Sequence, residues 1–181
     1  MEALIVYESM YGNTRVIAEA IAEGWGDGAQ VRPVREAGVP PDDLELLVVG
    51  GPTQIHGMTT AFSRRLAINA GLKEGHVEVD PDAVDAPGLR RWLRDLPEAH
   101  GCRAAAFDTR LGGSPGKTGS AARGIAPRLD KHGYRVEWTE SFIVKDGNGP
   151  LADGELERAR AWGAKMRSSI RVFTSAESVG V

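Results

Sequence analysis

Cysteine is almost missing from this chain. Cys102 alone occurs among 181 residues, so no internal disulfide can form, and the sequence suits a reducing compartment such as the cytoplasm. Cys102 precedes the apolar run Ala104-Ala105-Ala106-Phe107, a setting for a buried structural thiol rather than a nucleophile. Long apolar runs are also lacking. Ala3-Leu4-Ile5-Val6-Tyr7 and Leu46-Leu47-Val48-Val49 are far too short to span a bilayer. There is no basic start followed by an apolar stretch and a cleavage site, so no signal peptide is expected. Neither charge sign dominates. A net charge of -3 gives no electrostatic case for nucleic acid. His76, His100 and His132 have no metal-ligand spacing with Cys102. No Ser-His-Asp arrangement stands in a recognisable context.

What is present is an alternation of strands and helices. Residues 2–7 read as an all-apolar strand of the kind covered on both faces in a parallel sheet. Residues 13–25 switch to helical spacing, with Ile17, Ala20, Ile21 and Trp25 on one face. Gly24, Gly26 and Gly28 are expected to stop that helix. Further strands are expected at 29–34, 44–50, 102–108 and 134–144, and helices at about 58–71, 88–96, 118–132 and 153–168. No helix is legible between strands two and three. Residues 72–87 read as an irregular, solvated acidic stretch. The arginines of the last helix, Arg158, Arg160 and Arg167, read as a solvated face. The pattern implies one domain over residues 1–168, a loosely ordered tail over 169–181, and a three-layer, doubly wound parallel sheet. Ligands of such sheets bind beyond the carboxyl ends of the strands, where strand order reverses. That rule selects the loops 8–14, 51–58 and 109–118.

The first loop, Ser9-Met10-Tyr11-Gly12-Asn13-Thr14, joins a buried strand to a helix start. Unpaired N–H groups and the helix dipole favour an anion there. Ser9 and Thr14 offer hydroxyls, and Gly12 permits close approach or a left-handed backbone. The plainer reading is that Ser9 and Asn13 only cap the helix.

The segment Ile5-Val6-Tyr7-Glu8-Ser9-Met10-Tyr11-Gly12-Asn13-Thr14 resembles the phosphate-loop signature of flavodoxins. Val48-Val49-Gly50-Gly51-Pro52-Thr53 resembles the family's second loop, and the likeness continues through Phe107-Asp108-Thr109-Arg110. The resemblance implies a five-stranded sheet in order 2-1-3-4-5 with FMN at its carboxyl edge. It also implies that Ser9, Met10, Tyr11, Gly12, Asn13 and Thr14 hold the phosphate. Pro52, Thr53, Gln54 and His56, with Asp108 at the strand end and Thr109, Arg110 and Gly112 of the third loop, would then border the ring.

Three features depart from an electron-transfer flavodoxin. Loops two and three carry no aromatic residue to stack on a ring. The four tryptophans, Trp25, Trp92, Trp138 and Trp162, all have core spacing. The third loop is basic, with Arg110 and Lys117. Arg110 either approaches the flavin N1 and favours two-electron chemistry, or pairs with an acid such as Asp108. His56 either serves the ring or a substrate, or is a loop histidine in water. The function expected is an FMN-binding redox protein that serves a redox partner protein or a quinone-like small molecule. The alternatives are an FMN-dependent NAD(P)H:quinone-type oxidoreductase and a flavin-free, partner-binding domain.

Overall fold

In the computed structural model, residues 1–74, 79–80, 88–147 and 149–177 are described. The chain begins with β1, Ala3–Tyr7, buried at every position. Its side chains alternate between two layers, as a strand's period of two requires. Ala3, Ile5 and Tyr7 enter one core with Ile17, Ile21 and Trp25 of α1 (Asn13–Trp25) and Trp162 and Met166 of α6 (Glu155–Glu177). Leu4 and Val6 enter the other with Leu89 and Leu93 of α3 (Leu89–Arg94) and Ile125 and Leu129 of α5 (Ala122–Lys131). Each such aliphatic side chain contributes roughly 1.5–3 kcal/mol on burial.

The remaining strands are β2 (Ala29–Pro33), β3 (Leu46–Gln54), β4 (Gly57–Met58), β5 (Arg103–Leu111) and β6 (Arg135–Val144). The sheet runs β2-β1-β3-β5-β6, all parallel, and β4 folds back antiparallel on β3 as a short hairpin. With the hairpin set aside, this is the expected order 2-1-3-4-5 of a doubly wound sheet.

Two strands run past their expected ends. β3 continues through Gly50-Gly51-Pro52-Thr53 to Gln54, and β5 continues to Leu111, because Gly51 pairs with Asp108 and Pro52 with Thr109. Gly50 is explained by packing. A Cβ there would run into the Phe107 ring, which meets Phe142 and Trp162 edge-on at centroid distances of 6.1 and 6.5 Å.

The helices differ from expectation in three ways. Gly24 does not end α1, which runs on to Trp25 and is capped by Gly26 at φ 82°. Gly24 and Gly163 instead let α1 and α6 cross closely, since a Cβ on either would strike a carbonyl of the other helix. The last helix does not stop near 168 but reaches Glu177, so most of the expected tail is helical. Its arginines are ties rather than a solvated face. Arg158 pairs with Glu140 and Glu155, Arg160 pairs with Glu23, and Arg167 donates to the Trp25 carbonyl.

Between β2 and β3 the described residues form turns rather than a helix. Val34, Ala37 and Leu44 of this connection cover the sheet together with Trp92, whose Nε1 donates to the Gly38 carbonyl at 2.8 Å. The other helices are α2 (Ala61–Glu74) and the single turn α4 (Pro115–Thr118). α2 meets the carboxyl edge of the sheet, where Ala67 packs on Met10.

Candidate functional site

The first loop enters α1 through Gly12, which is left-handed at φ 84°. Its polar side chains are used within the protein. Ser9 Oγ, fully buried, accepts from Gly12 N at 3.1 Å. Thr14 Oγ1 and Thr109 Oγ1 share a hydrogen bond of 2.8 Å. Asn13 Nδ2 donates to the Gly149 carbonyl at 2.8 Å, and the Tyr11 hydroxyl donates to the Ala67 carbonyl at 3.1 Å. Gly12, at the N-cap of α1, has no side chain to offer the helix start. The sequence reading gave Ser9 and Asn13 a choice between capping and anion binding. Here they brace the loop and leave the helix start to its backbone N–H groups.

Two acids beside this loop were missed by the sequence reading. Glu8 is buried and accepts from Thr59 Oγ1 at 2.5 Å, Leu89 N at 3.1 Å and Arg64 Nη1 at 3.4 Å. It ties the end of β1 to α2 and to the start of α3. Asp80 belonged to the stretch read as solvated, yet it is buried, and its N–H donates to the Met10 carbonyl at 2.8 Å. Glu78, Asp82 and Asp85 of that stretch lie outside the described residues.

A cavity of about 90 Å³ opens where the strands end. Met10, Tyr11, Asn13 and Thr14 form one wall, and Pro52, Thr53 and Gln54 a second. Thr109, Arg110 and Leu111 form a third, and Val144 and Gly147 close it. Val144 ends β6, and Gly147 belongs to a fourth loop that the sequence reading passed over. Its turn-rich run Asp146-Gly147-Asn148-Gly149-Pro150 was the available signal. A shallower cavity of about 240 Å³ shares Tyr11, Gln54 and Gly147 and adds Ile55, Ser63 and Leu66.

The other sequence candidates lie off these walls. Gly112 follows the end of β5, and His56 sits exposed at the tip of the β3–β4 hairpin. Ile55 and His56 have φ of 46° and 66°, a left-handed pair rare for such residues. Gly119 lets the neighbouring loop press on the His56 backbone, where any Cβ would collide.

Asp108 lies in the strand as expected, Arg110 lies in the strand rather than in a loop, and both are buried. Asp108 Oδ2 accepts from Thr53 Oγ1 at 3.2 Å, Ser120 Oγ at 2.6 Å and Ala122 N at 3.0 Å, so it caps α5. Arg110 Nη1 donates to the Leu111 and Gly113 carbonyls at 3.0 and 2.9 Å and to Thr118 Oγ1 at 2.8 Å. Arg110 Nε stands 4.0 Å from Asp108 Oδ1. Among the described residues, Arg110 Nε, Asp108 Oδ1 and Gln54 Oε1 are buried without a hydrogen-bond partner.

No protein-family model matches the sequence, and no curated protein matches it. Solved structures do. A flavodoxin from the domain Archaea aligns with a TM-score of 0.57 at 22% identity, covering 94% of this chain and 99% of that one. A WrbA-like flavodoxin from Agrobacterium tumefaciens gives 0.54 at 18%, covering 94% and 97%. Oxidised flavodoxin 2 from Bacillus cereus gives 0.52 at 15%, covering 94% and 98%.

The fold is that of the flavodoxins. Within this flavodoxin-like frame, the four tryptophans lie away from the cavity walls. Trp25 and Trp162 are core residues, Trp138 packs against that core, and Trp92 belongs to the opposite layer. Tyr11 is the aromatic side chain on the cavity walls, and Ile55 forms the apolar rim at 68% exposure. Cys102 is half-buried, its Sγ donates to the Leu44 carbonyl at 3.1 Å, and burial raises its pKa, which disfavours a reactive thiolate. No described helix is long and apolar enough to cross a membrane, and no described His, Cys, Asp and Glu residues cluster as a metal site.

Proposed function

We propose that this chain binds FMN at the carboxyl edge of its sheet and acts as a redox protein. The observation that carries this reading is the 13-residue helix α1, which starts at Gly12, a residue with no capping side chain, beside the cavity formed by the strand ends. A helix start carries roughly half a positive charge, which suits a phosphate. Thr14 adds a hydroxyl: if Thr109 donates within their hydrogen bond, the Thr14 proton is free for a phosphate oxygen.

The ring end is tighter. The 90 Å³ cavity falls below the roughly 300 Å³ at which organic-ligand clefts begin. A ring therefore enters by displacing the Ile55–His56 hairpin outward, into the adjoining 240 Å³ space. Ile55 and Tyr11 then supply apolar cover, and Gln54 and Arg110 supply polar contacts. When bound, FMN provides the electron or hydride transfer, while the protein holds the phosphate, orients the ring and keeps a fixed cation at its edge.

That cation favours a second reading. Arg110 on the wall stabilises negative charge on a reduced ring, which supports two-electron chemistry. An FMN-dependent NAD(P)H:quinone-type reductase follows, in which the nicotinamide visits the ring transiently. The single cysteine fits work in the cytoplasm, and the acceptor is a redox protein or a quinone-like molecule.

The test is the visible spectrum of the purified protein, followed by fluorescence titration with FMN and riboflavin. The expected result is a yellow protein that releases FMN and binds riboflavin at least about tenfold more weakly, the scale of one charge-assisted hydrogen bond. A colourless protein that ignores added FMN overturns the reading and turns attention to a flavin-free, partner-binding domain. Reductive titration separates the two redox styles. Passage from oxidised to fully reduced flavin in one step supports the reductase, and a resolved one-electron stage supports the carrier.

A further inference from the structure

Arg110 is 8% exposed and lines the cavity. Its Nη1 donates three hydrogen bonds, to the Leu111 and Gly113 carbonyls and to Thr118 Oγ1. These bonds fix the guanidinium plane and leave its Nε–Nη2 edge uncommitted. Nε is buried with no hydrogen-bond partner among the described residues. Asp108 Oδ1 lies behind it at 4.0 Å, outside hydrogen-bond reach. Gln54 Oε1, on the wall of the same cavity, is likewise buried and unpartnered. A buried polar atom without a partner is costly, and two on one small cavity wall point to a ligand that completes them. The required ligand edge is planar, with adjacent acceptors for a guanidinium fork and a donor for an amide oxygen.

We propose that Arg110 and Gln54 are the specificity pair for the pyrimidine edge of a flavin. The Nε–Nη2 edge of Arg110 donates to N1 and the C2 carbonyl, and Gln54 Oε1 accepts from N3–H. This rests on the FMN reading and deepens it, because it makes ring identity a matter of hydrogen-bond pattern rather than aromatic stacking. Asp108 acts as a positioning residue: it moderates the charge of Arg110 and competes for Nε. The pair also accounts for a ring site that lacks stacking residues in loops two and three.

The experiment uses the whole protein and needs no substitution at first. Fluorescence titration compares FMN with 3-methyl-FMN, which lacks the N3 donor, and with 1-deaza-FMN, which lacks the N1 acceptor. The expected result is a loss of about tenfold or more for each analogue, the scale of a hydrogen bond left unmade in a buried site. Gln54→Ala should erase the discrimination against 3-methyl-FMN while keeping that against 1-deaza-FMN. Arg110→Lys, which keeps the charge and loses the fork, should do the reverse. Thermal melting of each variant checks folding, and the wild-type comparison stands whether or not a variant folds. Wild-type protein that binds FMN and both analogues equally overturns this proposal and leaves FMN binding intact. Failure to bind FMN at all overturns both.

Discussion

Arg15 and Asp80 form an ion pair beside the start of α1: Nε stands 3.3 Å from Oδ2, with the arginine side chain half exposed and the aspartate side chain buried. The arginine also folds back on the first loop, with Nη2 3.6 Å from where a Cβ on Gly12 would stand. The chain thus holds its own anion next to the place proposed for a phosphate. Asp80→Asn should tighten FMN several-fold at low salt by freeing Arg15 and removing a repulsion, and Arg15→Gln should weaken it. Because the arginine is exposed, both effects should shrink at high salt. Riboflavin affinity should change in neither variant, and parallel titrations of the two flavins check this.

The Thr14–Thr109 hydroxyl pair gives a second prediction. Both residues are buried, so Thr14→Ala leaves the Thr109 hydroxyl without its partner. The expected cost is about 1–3 kcal/mol of stability, read by urea unfolding, together with about tenfold weaker FMN binding. Thr109→Val should lower stability similarly but weaken FMN less, since only Thr14 is proposed to face the phosphate.

The β3–β4 hairpin turns through Ile55 and His56, both at positive φ. A two-residue turn of this hand prefers Asn-Gly, and a β-branched residue there is strained. The double substitution Ile55→Asn, His56→Gly should stabilise the protein by about 1–2 kcal/mol in thermal melts. It should also weaken flavin binding by removing the apolar rim at Ile55. An unchanged melting temperature would show that the turn carries no strain.

Tyr134 is buried, and its phenol pKa is pushed up to about 12, first by desolvation and then by Cys102. The folded state therefore holds this proton more tightly than the unfolded chain, whose tyrosines titrate near 10. The resulting stability is fully present below pH 10 and is lost as pH rises through about 12. Tyrosinate absorbance should show a late-ionising component, coincident with alkaline unfolding. Tyr134→Phe should remove this component.

The strands, the covering helices and the first loop were legible, because apolar runs and faces of period 3.6 are local signals, while the sheet order came from the resemblance to flavodoxins. The ends of β3 and β5 were not. Gly51 and Pro52 look like loop residues, and only their pairing with Asp108 and Thr109 makes them strand. The same oversight hid the direction of Arg110, since a residue taken for loop has no predictable face. The sequence posed a choice between a ring-facing cation and a partner of Asp108. The structure gives both: a buried cation on the cavity wall that is ion-paired with Asp108 at 4.0 Å. The roles of Glu8 and Arg158 were unreadable for another reason: their partners are non-local, Thr59, Arg64 and Leu89 for one and Glu140 for the other.

The helix-free crossing between β2 and β3 makes that edge of the sheet a separate cooperative unit. β2 has one strand neighbour, and the connection beyond it is held to the far layer by Trp92 and its bond to Gly38. Local opening there uncovers Val34, Ala37 and Leu44 on one face of the sheet but leaves the layer of α1 and α6 packed on β1, β3 and β5, so its free energy should lie below that of global unfolding. The amides of β2 should accordingly exchange with solvent earlier than those of the central strands, in a motion that leaves the ligand edge assembled. The indole of Trp92 is a built-in spectroscopic reporter of that motion.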